Sequence, residues 1–488
     1  MKSNEASLLV IVSFILAIFM VYFEVVQLQN SSFSDPIIKK DLLIIFFILV
    51  LLIYSALIKS FSKAFVLMYP VLFELNRTLI SLAQLVKLPP VLKTLNIYIV
   101  DVIAIILFFI LFDLKKIAAV FRFKPIYYYN IFIIIGILSV FWAMNPNAAI
   151  AYIPTIILIP VSYYVFLMLF QYNEKNIFYL SMGLFFSALL SIIFVWPSYF
   201  GIQWFNFLLS RDSDVTGSTA NSVRAGGILA RAIMALLLAS LIPYLYNFGI
   251  HYFKRYRRYV HMIGMLLILT LVLTLNRMHF FATCLGICLI LFSAIKQHVV
   301  KAYIGVITVG AVLFLGVVVY VVSLNGNDVE NTIDRDTWEG RMQQYNAAFQ
   351  NFEYSAGLGI GMNNFLVSPI SVALLGSALG VDNGAFESGN TVHDDYLRVL
   401  AEYGVAGLIF YALFFISTIK QRVNNPKIKP LVYGAKINII VVGIVGLSSP
   451  ALNHDLALII IGMYLAIIKY YQDNNSAEKF LEITEKYC

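Results

Sequence analysis

Arg277, Arg341 and His393 are the residues of this chain whose types and settings best suit chemistry. Arg277 stands in Thr274-Leu275-Asn276-Arg277, a tight connection between two apolar runs. Arg341 follows Gly340 in a long polar stretch, which Val392-His393-Asp394-Asp395-Tyr396 closes before the chain turns apolar again. A guanidinium is a planar fork of donors that matches phosphate oxygens, whereas an ammonium is a point charge. An imidazole titrates near neutrality and can take a proton from a hydroxyl. Basic groups beside a hydrophobic bundle suit an anionic, lipid-linked substrate better than a dissolved one. Arg224, before another apolar run, is a third phosphate candidate. Asp395 competes with His393 as base, and Asp394 or Asp395 would orient the ring or hold its charge. Tyr345, about one turn from Arg341, and Asn364 complete the expected substrate contacts. No metal spacing stands out, and fixed arginines make an ion redundant for neutralising charge, so metal-independent chemistry without a cofactor is expected.

The elements that must hold these groups are membrane helices. Of the 488 residues, 61% are hydrophobic and 12% charged, with mean hydropathy +0.85. A soluble globular chain carries about 25% charge. Runs of about 20 apolar residues recur from end to end, the mark of transmembrane helices, and the alternating pattern of an outer-membrane barrel is absent. The fold class expected is all-α, a polytopic transmembrane bundle of 12–14 helices with one large external loop containing short helices. The spans fall near 7–26, 42–58, 61–76, 94–113, 127–144, 149–170, 177–197, 226–246, 259–275, 278–295, 302–323, 396–418, 432–449 and 455–470. The first reads as an uncleaved span, and 81–97 as an interfacial or re-entrant segment. Cys284 and Cys288 sit one turn apart inside a span and read as packing residues.

The net charge of +8 does not signal nucleic acid, because the basic residues sit in short loops between spans. From residue 114 onward one set of loops holds nineteen lysines and arginines. The opposite set holds seven, all arginine: Arg211, Arg224, Arg231, Arg277, Arg335, Arg341 and Arg398. The asymmetry puts both termini in the cytoplasm and the seven arginines outside. Three parts follow: a bundle over 1–323, an external loop over 324–395 with the catalytic residues, and further spans with a cytoplasmic tail over 396–488.

Within the external loop, Trp338, Met342, Tyr345, Phe349 and Phe352 recur at helical spacing, so a helix with one face on the bundle or membrane surface is expected. Gly357-Leu358-Gly359-Ile360-Gly361 reads as a helix-ending turn, with phosphate binding by its amides the alternative. Residues 370–390 read as a mobile cover. His279 is placed to help at a phosphate, while His454 reads as a loop histidine on the external side.

Four stretches in order carry a resemblance: Arg224-Ala225-Gly226-Gly227; Thr274 to Arg277; Gly340-Arg341 with the glycine run and Phe365; and Val392 to Leu397 followed by Leu400-Ala401-Glu402-Tyr403-Gly404-Val405-Ala406-Gly407. The pattern resembles the superfamily of O-antigen polymerases and O-antigen ligases, bacterial inner-membrane glycosyltransferases acting on undecaprenyl-pyrophosphate-linked glycans. The arginine span motif departs from the family's, with Asn276 where serine is usual and Met278 where glycine is usual, and Asp394 stands where asparagine often follows the histidine. The resemblance implies glycan transfer from a pyrophosphoryl lipid to a sugar hydroxyl. Arg277, Arg341 and Arg224 would face the pyrophosphate, His393 would act as base, and membrane lipid and a chain-length-regulating co-polymerase would be partners. Polymerase is preferred over ligase because the long outer loop suits a glycan-specific acceptor. A lipid-glycan flippase is the alternative of another class. It would favour ionisable groups near mid-membrane and internal repeats, which the spans from 127 to 323 lack.

Overall fold

A computed structural model of the chain describes residues 60–73, 78–81, 96–199, 231–274, 276–294, 330–378, 394–451, 454–474 and 478–487. In chain order the helices are α1 (Phe61–Met68, continued by a 3-10 turn to Phe73), α2 (Ile99–Ile110), α3 (Leu114–Val120) and α4 (Lys124–Ser139). They continue with α5 (Pro146–Ile156), α6 (Leu158–Tyr172), α7 (Lys175–Tyr199), α8 (Arg231–Tyr252), α9 (Arg257–Leu273) and α10 (Arg277–Ala294). Then come α11 (Glu330–Tyr354), α12 (Pro369–Ala378), α13 (Asp395–Lys420), α14 (Lys429–Val445), α15 (Asp455–Asp473) and α16 (Glu478–Tyr487). Two short strands, Thr78–Ser81 and Asn96–Tyr98, are the only extended elements among the described residues.

Among these residues six helices are long and apolar enough to cross a membrane, α5 and α6 counting as one, and four shorter apolar helices accompany them. The chain is an all-α, polytopic helical membrane protein. The expected spans at 7–26, 42–58 and 302–323 lie outside the described residues. The span expected at 149–170 is broken at Ile157, between Pro154 and Pro160. A proline lacks the N–H that would close the preceding turn. Residues 369–378 form a helix where a mobile cover is expected.

One compact unit contains α1, α7, α8, α9 and α16. Gly183 of α7 meets the Leu67 carbonyl of α1 where any side chain would collide. Ser181 and Tyr244 share a hydrogen bond of 2.7 Å, and Trp196 donates to Thr270 at 2.9 Å. The amphipathic α16 buries Phe480 and Ile483, and Glu482 pairs with Lys175 at 3.2 Å.

The second unit contains α2–α5, most of α6, and α10–α15. Its centre is α15, buried along nearly its whole length; Gly462 brings it against Ser162 and the backbone of α6. An aromatic seam joins α4 to α13: Phe132 stacks on Tyr403 at 4.5 Å and Tyr129 meets Phe414 at 5.2 Å. Aromatic pairs of this kind add about 0.5–1.5 kcal/mol beyond their burial.

Candidate functional site

Contacts within the second unit bring several helix ends together. Tyr433, near the start of α14, donates to the Leu289 carbonyl near the end of α10 at 3.2 Å. These two helices therefore run antiparallel, and Arg277 at the start of α10 lies at the end where α14 finishes. The same end receives the start of α13, since Asp395 N–H donates to the Gly446 carbonyl at 2.7 Å and the Tyr396 hydroxyl to that of Gly443 at 2.9 Å. His454 stands at the start of α15 there, without a side-chain capping bond, and close enough to His279 for the two rings to interact electrostatically. Lys420, Arg422, Lys427 and Lys429 occupy the opposite end of α13 and α14.

The groups at this end differ in character. Arg277 is exposed in the first turn of a helix that has no acidic residue there. A cation at a helix N-terminus opposes the macrodipole at a cost of about 0.3–1 kcal/mol, and a bound anion reverses the sign. His279 is 3% exposed, and its Nε2 has no hydrogen-bond partner among the described residues. His454 is half-buried. Burial first, and the Arg398 guanidinium second, push its imidazole down to about 4, so it is neutral at pH 7.

Asp394 is half-buried and caps α13, its Oδ1 accepting from Tyr396 N–H at 2.8 Å and Leu397 N–H at 3.0 Å. Burial raises its carboxyl above the usual range, with those two N–H bonds pulling the other way. Asp395 is fully buried one residue on. The expected third member, His393, lies outside the described residues, as does Arg224.

Arg398 is one of the seven arginines expected on the outer side, and its side chain is buried. It is 3% exposed inside α13, its Nε donating to Glu402 at 3.2 Å and its Nη2 to the Tyr152 hydroxyl at 2.8 Å. It also lies over the Tyr152 ring at 5.2 Å. The other Glu402 oxygen accepts from Phe365 N–H at 3.1 Å. A signal for this pair was present in the sequence, because residues four apart share a helix face.

The glycine run lies against a break in α13. Gly404 has φ +68°, and Gly357, Gly359 and Gly361 have φ of +84°, +85° and +101°. Ile360 N–H donates to the Ala401 carbonyl at 2.9 Å, Gly361 N–H to that of Glu402 at 3.1 Å, and Val405 N–H to that of Gly357 at 3.1 Å. Gly359 N–H donates to Ser355 and Met362 N–H to Ser139. The run therefore ends a helix and docks a loop, and the amides that a phosphate cradle needs are taken.

Arg341 is half-buried on α11, which packs on α12 and α13, and its Nε is buried with no hydrogen-bond partner among the described residues. Tyr345 is half-buried one turn away. The side of α11 that packs on the neighbouring helices is not the aromatic stripe expected on the bundle or the membrane surface. Met342 is 40% and Phe349 48% exposed, while Gln344, Ala347, Ala348 and Asn351 are buried. Small residues allow close helix approach, and Asn351 donates to Ser371 of α12 at 2.8 Å. Exposed apolar side chains are no burden at a lipid surface. Asn364 is fully buried, accepting from Asn145 N–H at 2.5 Å and donating to the carbonyls of Asn145 and Met362. Those contacts pin the glycine loop to the start of α5.

Among the described residues no three His, Cys, Asp or Glu side chains gather as a metal site. No curated protein matches the chain. The family model described as O-antigen ligase matches residues 262–412, a segment that includes Arg277, Arg341, Tyr345, Asn364, His393, Asp394 and Asp395. The chain is thus a helical membrane protein that carries, over this segment, a similarity to the O-antigen ligase family.

Proposed function

We propose that this protein polymerises undecaprenyl-pyrophosphate-linked oligosaccharide repeat units into a surface polysaccharide, at the outer face of the bacterial inner membrane. The acceptor hydroxyl oxygen attacks the anomeric carbon of the donor glycan. The bond from that carbon to the pyrophosphate oxygen breaks, and the pyrophosphoryl lipid leaves with the electron pair. The acceptor proton passes to His393. Arg277 and Arg341 stabilise charge that grows on the leaving group, so they act more strongly on the transition state than on the ground state. Arg224, Tyr345 and Asp394 contribute substrate contacts, with Asp394 also holding the start of α13, whereas Asn364 and Asp395, expected to touch substrate, are fully buried and act by positioning. The chemistry needs no metal, and the stretch 324–395 selects the acceptor.

The observation that carries this reading is the gathering of Arg277, Asp394, Asp395 and His454 at the end of the unit away from Lys420, Arg422, Lys427 and Lys429. An arginine opposing a helix dipole at that end suits an anion. Full-length protein supplied with lipid-linked repeat units is expected to give a ladder of oligomers that persists in chelator. The description of the matching family favours a second reading, ligation of finished polysaccharide to lipid A core. A single transfer to that core without a ladder selects it. A metal requirement restored by magnesium or manganese defeats the metal-independent mechanism.

A further inference from the structure

The first unit contains a cavity of about 130 Å³ between α7, α8 and α9, walled by Met182, Leu245, Phe248, Tyr259, Ile263 and Leu267 among others. Its walls are almost wholly apolar, and its size is near that of cavities that take a benzene-sized guest. Two glycines shape it, since a side chain at Gly249 would collide with Val260 and one at Gly264 would press on the Tyr246 ring. Tyr256 and Tyr259 both line the cavity and are exposed, with ring centroids 6.4 Å apart. Beside them Lys254, Arg255, Arg257 and Arg258 are all exposed, and none of the four pairs with a carboxylate among the described residues. Arg255 lies over the Tyr256 ring at 5.9 Å.

On another face of α9, Met262, Met265, Leu266 and Leu269 are exposed and apolar. A ligand segment that enters the cavity must be greasy. A ligand that meets four basic side chains at the tyrosine rim must carry negative charge at its polar end. Tyrosines at that junction suit a membrane interface, apolar in the ring and wet at the hydroxyl. A basic pocket between membrane helices with an apolar floor matches an anionic lipid headgroup above its acyl chain.

We infer that this cavity and the basic segment Lys254–Arg258 form a binding site for a single anionic phospholipid, its acyl chain between α8 and α9 and its phosphate at the four basic side chains. The site uses none of the residues of the proposed transferase site.

Native mass spectrometry of the full-length protein, titrated separately with dioleoylphosphatidylglycerol and dioleoylphosphatidylcholine, tests it. One phosphatidylglycerol per chain is expected to be held in clear preference to phosphatidylcholine. Arg255→Gln with Arg258→Gln, both on exposed side chains, should weaken phosphatidylglycerol roughly thirtyfold and leave phosphatidylcholine unchanged, from the usual worth of a basic residue at an anionic surface. Met182→Trp, which fills the cavity, should weaken both lipids. Equal retention of the two lipids by the unaltered protein overturns the site. So does undiminished phosphatidylglycerol binding in either variant.

Discussion

The buried Arg398–Glu402 pair allows a double-mutant cycle whose asymmetry is fixed by its surroundings. The two side chains are 3% and 2% exposed at 3.2 Å. Removing one partner of such a pair costs about 3–5 kcal/mol, because the other charge is left buried. The two deletions should not be equal here. Without Glu402, the Arg398 guanidinium still feels Asp395, which already interacts with it electrostatically. Without Arg398, Glu402 keeps the Phe365 N–H but loses the cation that balances its charge. Glu402→Gln should therefore fall near about 3 kcal/mol and Arg398→Met near or above about 5 kcal/mol. Arg398→Met with Glu402→Leu removes both charges. What remains is the loss of partners for Phe365 N–H and the Tyr152 hydroxyl, about 1–3 kcal/mol each. The double variant should consequently lose several kcal/mol less than the sum of the singles. Reversible unfolding of the full-length protein in mixed micelles measures all three. Additive losses, or Glu402→Gln costing more than Arg398→Met, would refute the electrostatic account.

Gly404→Ala puts a side chain at φ +68° with its Cβ 2.6 Å from Leu358 C, so it should unfold or misdock the loop by more than about 2 kcal/mol, read by protease sensitivity after Tyr354. Asp394→Ala should cost about 1 kcal/mol of thermal stability through the lost cap, and Asp394→Asn only a fraction of that. If Asn at 394 nonetheless abolishes transfer, the carboxylate has a chemical role beyond capping. His454 falls from an ordinary 6.5 to about 4 in the folded protein, so the unfolded chain binds the extra proton between those values. Its contribution is complete above about pH 6.5 and is lost as pH falls through about 4, roughly 3 kcal/mol in all. His454→Gln should flatten that part of the stability profile. Arg277→Ala should lower the transfer rate by about 10²–10³ with normal protein level, and Arg277→Lys should recover only part of it.

Much of this architecture was legible because apolar run length is a strong signal in lipid. The helices α7, α10, α13, α14 and α15 begin and end within a few residues of the runs that announce them. What the sequence hid depends on partners far away in the chain. Arg398 stands after two aspartates and before an apolar run, as an external arginine would, and its burial draws on Glu402 one turn on and on Tyr152 from a distant helix. The aromatic stripe of α11 misleads for a different reason. Met342 and Phe349 stay exposed, while alanines and Asn351 make the closer contact with the neighbouring helices. Asp394 and Asp395 look interchangeable as letters, yet one caps a helix at its edge and the other is fully enclosed.

The break at Gly404 links these features. A helix interrupted within an apolar bundle exposes backbone groups that water cannot satisfy, and such breaks persist only where protein supplies the missing partners. Here the supplier is the loop that follows α11, whose three left-handed glycines let its backbone lie against the carbonyls of Ala401 and Glu402 and the N–H of Val405. The same loop is tied to α4 by Trp142 and Ser139 and to α5 by Asn364. Breaking α13 at this point gives its first nine residues, Asp395 to Tyr403, a direction independent of the membrane-crossing remainder. That short segment begins with the carboxylates and contains Arg398 and Glu402. Since Glu402 also holds Phe365, any motion of the loop after α11 must be transmitted to the start of α13. Substrate contacts made anywhere on that loop would then reach the proposed catalytic end through a few hydrogen bonds, and substitutions at Ser139 or Asn145 should alter transfer without touching substrate.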